Sequence, residues 1–121
     1  PDAMALVSQA RSTSYEFASV LAGSDEPAEV AARCATEAAT WDTSGFGASI
    51  AVHIDPGENP DRDRGTVGLA FAHPGGVVRR EHVVSSNAPE IRRRAVYWSA
   101  DFFWLAIRDA ASHHADQSVS S

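Results

Sequence analysis

In the middle of the chain, apolar residues alternate with small or polar ones. Ile50, Val52 and Ile54 are interleaved with Ser49, Ala51 and His53, and Val67, Leu69 and Phe71 with Thr66, Gly68 and Ala70. A period of two over 48–54 and again over 66–72 predicts two strands. The intervening positions are themselves small or weakly polar, so cover on both faces is expected, which would put the first strand in the interior of an α/β sheet. His73-Pro74-Gly75-Gly76 reads as a hairpin turn and 77–85 as its return strand. That strand carries Arg79, Arg80, Glu81 and His82 between valines, as strands near a sheet edge do.

On either side the period lengthens to that of a helix. Before the strands, Leu6, Ala10, Phe17, Val20 and Leu21 follow helical spacing up to a stop at Gly23. Ser12-Thr13-Ser14-Tyr15 reads either as weak helix or as the end of a short extended segment, with its hydroxyls solvated or capping. Ser24-Asp25-Glu26-Pro27 predicts a second helix start, with Ser24 or Asp25 as cap and Pro27 in the first turn. Over 26–40, Val30, Ala31, Cys34, Ala35 and Ala38 share one face with Trp41. Those side chains are mostly small, so this helix can lie close to a sheet.

After the strands, Asn87 and Glu90 form a capping-box pattern that opens a helix over 88–112. Ile91, Ala95, Trp98, Phe102 and Leu105 make one stripe, Val96, Phe103 and Ile107 a second, and Tyr97 and Trp104 a third. The first stripe is enough to cover a sheet. Val96, Tyr97, Phe103, Trp104 and Ile107 are then surplus, and they predict a homodimer or higher oligomer assembled through this helix. The alternative is that the N-terminal helix folds across the same surface. The resulting expectation is one α/β domain, a three-layer α/β/α sandwich with a mixed sheet. Residues 1–25 form an N-terminal helical segment, 26–112 the core, and 113–121 a flexible tail.

Composition narrows the function classes. At 121 residues, 44% hydrophobic and 21% charged, the chain can build a core without disulfide or metal. It has no apolar run of bilayer length and no basic-then-apolar start, so a cytoplasmic protein with no membrane partner is expected. Cys34 is the single cysteine, which excludes an internal disulfide and a CxxC zinc site. A net charge of −6 without an arginine–aromatic stripe argues against nucleic acid. All ten basic residues are arginine, so no lysine base or Schiff base can operate in this chain.

The loop after the first strand gathers the remaining candidate chemistry. Asn59-x-Asp61-x-Asp63 begins like a calcium loop, but Arg64 occupies the position that needs glycine, and no glutamate closes the motif. An acidic cation site from Asp55, Glu58, Asp61 and Asp63 is the residual possibility, and no metal or other cofactor is expected. His53 and Asp55 project from one side of a strand end and are the candidates for acid–base work. His113-His114 is expected to meet a helix dipole rather than a metal.

Four segments taken together, Glu29-Val-Ala31, Ile50-Ala-Val52, Gly65-Thr-Val67 and Glu90-Ile-Arg-Arg-Arg-Ala95, resemble the C-terminal domain of the CinA family (competence/damage-inducible protein) in order and spacing across residues 26–110. That domain is a nicotinamide-nucleotide amidohydrolase. The resemblance implies an α/β/α sandwich, oligomerisation, and hydrolysis of the carboxamide of nicotinamide mononucleotide by a serine assisted by a lysine. The family's Ala-Glu-Ser-Cys-Thr-Gly-Gly nucleophile motif occurs nowhere here, and no lysine exists to assist a serine. The family's Thr-Gly-Ile-Ala-Gly-Pro turn reads His53-Ile54-Asp55-Pro56-Gly57, and its first arginine before the last helix falls at Ala88. Gly65, Thr66 and Arg92 do match residues near the family's ligand site, which implies contacts to a nucleotide-like ligand. Two readings follow: a catalytically silent relative that binds a ligand or assembles, or an amidohydrolase that uses non-standard residues.

Overall fold

The computed structural model describes residues 14–41 and 43–120. Its elements, in chain order, are α1 (Tyr15–Ala22), α2 (Pro27–Ala38), β1 (Gly47–Asp55), β2 (Asp63–His73), β3 (Gly76–Ser86) and α3 (Ala88–Ser120), with a short 3-10 turn at Pro60–Arg62. Residues 1–13, the greater part of the expected N-terminal segment, lie outside the described residues. Ser14 caps α1 by accepting from the Phe17 N–H, and Gly23 ends it in the left-handed region at φ 69°, which glycine adopts without steric cost. The expected cap of α2 is corrected. Its N-cap is Glu26, which makes no side-chain capping bond, while the Ser24 hydroxyl accepts from the Glu26 N–H one step earlier.

The three strands form one sheet in the order β1-β2-β3. Pairing runs unbroken from Gly47↔Ala72 to Asp55↔Arg64 and from Asp63↔Ser86 to His73↔Gly76. α1 and α2 cover one face and α3 the other, which gives the expected α/β/α layering. The sheet itself is not mixed: both pairings are antiparallel. The reason lies in the connections, a short loop and a two-residue turn, whereas a parallel pair needs a crossover of about a dozen residues or more. β1 is also not interior, because it forms one edge of the sheet and β2 is the central strand. α2 covers one of its faces, where Gly47 and Ala51 are buried, whereas Ile50 on the α3 side is 45% exposed, so the expected cover on both faces holds only in part.

On the α2 face, Val30, Ala31 and Ala35 pack against Ala51, Ala70 and Ala72. Small side chains on both surfaces bring α2 close to the sheet. A Cβ at Gly68 would meet the Pro27 carbonyl and the Ala28 nitrogen, and one at Gly47 the Ala35 carbonyl and the Ala39 nitrogen. On the α3 face, Val67, Leu69 and Phe71 meet Ala95 and Phe102. Leu69, Ile91, Val30 and Val67 are the largest fully buried side chains. Each contributes about 1.5–3 kcal/mol by the area it removes from water. α3 continues past 112 through the expected tail to Ser120, since no glycine or proline stops it. Among the described residues, no helix is long and apolar enough to cross a membrane.

Asn87 caps α3 as expected, accepting from the Glu90 N–H at 2.9 Å. The Glu90 carboxylate turns forward to Arg93 at 2.6 Å and Arg94 at 2.9 Å. Those two hydrogen bonds, Arg93 first, hold its pKa down at about 2. A carboxyl depressed in the folded state stabilises the fold above its unfolded value near 4.5, and that contribution is lost as pH falls toward 2. Melting temperatures of the wild type and of Glu90→Gln, measured from pH 6 to 2, should therefore differ at neutral pH and converge through this window. Parallel curves would show that the arginine contacts do not hold the carboxyl.

Candidate functional site

Paired residues in an antiparallel ladder share a face, so the register sorts the candidate residues. His53 pairs with Thr66 on the α1/α2 side of the sheet, and Asp55 follows two residues later on the same side. His53 Nδ1 lies 3.6 Å from Asp55 Oδ1, and both side chains are substantially exposed. The Tyr15 ring sits 5.1 Å from the imidazole, and its hydroxyl donates to the Asp25 carbonyl at 2.6 Å. Burial, then the charges of Asp25, Glu81 and Asp55, push the Tyr15 hydroxyl up to about 12, so it remains protonated at neutral pH and cannot serve as a base. What the cluster offers is a solvent-exposed His–Asp pair beside a phenol, and a contact that exposed adds little to stability.

Gly65 faces the other way. It is buried, and a Cβ there would meet the Ile91 side chain, with Cδ1 at 3.0 Å. The notch that Gly65 leaves is thus occupied by Ile91 of α3. Arg92, the next residue along the helix, is exposed. The structure therefore brings His53, Asp55 and Thr66 together on the α1/α2 side, and it brings Gly65 close to the start of α3 on the opposite side.

The acidic loop is built on its own backbone. Asn59 Oδ1 accepts from the Asp61 N–H and Asp63 Oδ1 from the Gly57 N–H, each at 3.1 Å. Among the described residues, no three His, Cys, Asp or Glu side chains converge as metal ligands would. His113 and His114 lie where side chains are not described. Val96, Tyr97 and Trp104 are exposed on α3, Ile107 is partly so, and Phe103 packs at the margin of the α3-face core.

Sequence reasoning missed a cavity of about 720 Å³ between α3, β3 and the β2–β3 turn. His82 stacks on Trp98 with ring centroids 4.4 Å apart, and the Arg80 guanidinium lies 5.9 Å from the centre of the Phe102 ring. Asp101 and Asp109 complete a rim of both charge signs. A stacking shelf with a cation and carboxylates around it suits a flat, polar small molecule. The signal was available in the strand: Val78, Arg80 and His82 share one face, and Arg79 and Glu81 the other. Reading all four charges as edge protection concealed this division.

A second cavity, about 830 Å³, opens along the outer edge of β1. Phe17 and Leu21 of α1, Cys34 of α2, Trp41 just beyond it, Ile50 of β1 and Phe103 of α3 line it. Cys34, partly buried, is one wall of this opening, which Arg33 and Glu37 also line.

No protein-family model and no solved structure matches the chain. It is similar to a CinA-like protein of Thermomicrobium roseum, with 42% identity over 83 residues. The match takes in 69% of this chain but spans only 20% of that protein's length. Identity at that level, carried on helices packed over both faces of a sheet as the CinA C-terminal resemblance implies, makes this chain a member of the CinA-like family.

Proposed function

We propose that this chain is a CinA-like module that lacks the amidohydrolase chemistry implied by the resemblance and works by binding a ligand or by assembly. The observation that carries this reading is the division of the candidate site. His53, Asp55 and Thr66 share one face of the sheet, while Gly65 sits on the other with its notch filled by Ile91. A carboxamide hydrolase needs nucleophile, base and substrate contacts within hydrogen-bond reach of one another. The chain also carries neither the serine motif nor any lysine. Assembly would draw on Val96, Tyr97, Phe103, Trp104 and Ile107, several of which are exposed on α3 although apolar. Such a cluster on one helix is the kind of surface that partners cover.

The test is incubation of the chain with nicotinamide mononucleotide, with ammonia as the readout. The expected result is release no faster than in a protein-free blank. Sustained release that is abolished by His53→Ala or Arg92→Ala would instead support an active amidohydrolase, in which Arg92 and the Gly65-Thr66 backbone hold the substrate phosphate.

A further inference from the structure

α3 covers β3 unevenly. Val84 is buried beneath it, but Val78, Arg80 and His82 open onto the cavity of about 720 Å³. Trp98, Asp101, Leu105 and Asp109 recur at helical intervals along α3 and form the facing wall. The floor is apolar. Phe46 and His73 both stack on the buried Phe71 ring, with centroids 5.8 and 6.1 Å from it, and His73 is held in place by accepting from the Gly75 N–H. Phe46 is 46%, Val78 43% and Leu105 36% exposed, so apolar surface stands open inside the cavity. Two opposite charges border it. The Arg80 guanidinium lies against the Phe102 ring, and among the described residues neither Arg80 nor Asp101 is in an ion pair. Asp109, by contrast, has Arg108 Nε 4.0 Å away. This place is distinct from the residues matched near the family's ligand site, because His73 and Gly65 stand eight residues apart on β2, roughly 26 Å along a strand. The described chain starts at α1, on the opposite face of the sheet and beside His53 at the other end of β1.

We propose that this cavity binds a free aromatic α-amino acid, with its ring against Phe46, Val78 and Leu105, its carboxylate on Arg80 and its ammonium on Asp101. The proposal rests on the ligand-binding reading above and names the ligand class. Its volume falls within the range of small-molecule sites, roughly 300–1,000 Å³. Charge complementarity selects the occupant. A cation and a carboxylate that border one cavity without pairing are both answered by a ligand that carries both charges on one carbon. The guanidinium meets its ring partner through its face and keeps its N–H fork for a carboxylate, which it can hold by two parallel hydrogen bonds. A purely anionic ligand would face Asp101, Asp109 and a chain of net charge −6, and a purely cationic one would face Arg80. An aliphatic body would forgo the ring contacts that Phe46, His73 and the His82–Trp98 stack offer.

The experiment is calorimetric titration of the chain with L-phenylalanine, 2-phenylethylamine and 3-phenylpropionate, which share a ring and differ in charge, with amide NMR shifts to locate each. The expected result is a dissociation constant for phenylalanine on the order of 1 mM or below, about fivefold or more tighter than for either analogue. Its shifts should gather over 73–82 and 98–109. Arg80→Gln should abolish the advantage over 2-phenylethylamine and keep that over 3-phenylpropionate, and Asp101→Asn should do the reverse. Both side chains are exposed, and a thermal melt of each variant checks its fold. Should either variant fail to fold, the order of the three ligands on the wild type decides the matter without it. Equal affinity for the three, an analogue that equals phenylalanine, or shifts centred on Gly65, Thr66 and Arg92 would overturn the proposal. Failure of all three to bind would overturn it too, and with no ammonia released from nicotinamide mononucleotide the silent-relative reading would still stand.

Discussion

Gly68→Ala is expected to lower the melting temperature by about 10 °C or more, equivalent to roughly 3 kcal/mol. The single added methyl group would point into the backbone of α2, at the Pro27 carbonyl and the Ala28 nitrogen. Those atoms begin a helix whose Val30, Ala31 and Ala35 are buried against the same sheet, so α2 cannot retreat locally without opening the contacts of Ala51, Ala70 and Ala72. A side chain in the way could rotate, but backbone cannot. Calorimetry of the two proteins measures the effect. A change within about 2 °C would mean that α2 does not rest on β2 at this distance. The position is central in the fold because β2 is covered on both faces, and any lift of α2 unseats the inner strand.

Ile91→Ala is expected to cost about 3 kcal/mol or more in urea denaturation, within the usual range for emptying a fully buried site. Ile91 is 0% exposed, and its branches fill the notch over Gly65. The more informative measurement is the double variant. Gly65→Ala alone should cost on the order of 1–3 kcal/mol, because the new methyl crowds Ile91 Cγ2 and Cδ1. With Ile91 already shortened to alanine, the same change should be close to neutral, which gives a coupling on the order of 1–2 kcal/mol. Additive costs would show that a side chain at residue 65 points elsewhere. That outcome would favour Gly65 as a place where a ligand approaches the backbone, the role the family resemblance implies for it.

Both predictions concern glycines that the resemblance or the strand pattern had already singled out, yet neither could be argued from sequence. Gly68 appears in the chain only as one small residue among Thr66, Ala70 and Ala72, and its contact with Pro27 joins positions far apart along the backbone. Gly65 and Thr66 entered as a pair through the family resemblance, which carries no direction for either residue. In a strand, adjacent side chains point to opposite faces. That geometry separates Thr66, beside His53, from Gly65, beneath Ile91. The cavity at Trp98 escaped notice for a related reason: Arg80 and His82 acquire aromatic partners only once α3 lies across β3.

What the sequence determined by itself were the elements and their faces. Alternation over 48–54 and 66–72 marked two strands, His73-Pro74-Gly75-Gly76 turned the hairpin, and Asn87 opened the last helix. These are local properties, encoded in side-chain period, turn chemistry and caps, and four short segments in register sufficed to recognise the CinA-like family. Strand order belonged to the tertiary structure alone. Whether β1 lies inside the sheet or at its edge depends on which backbone groups find partners across space, and main-chain hydrogen bonds leave no pattern in the side chains. An alternating apolar signature serves an edge strand as well as a central one, so only the assembled fold could show that β1 is an outer one of the three described strands.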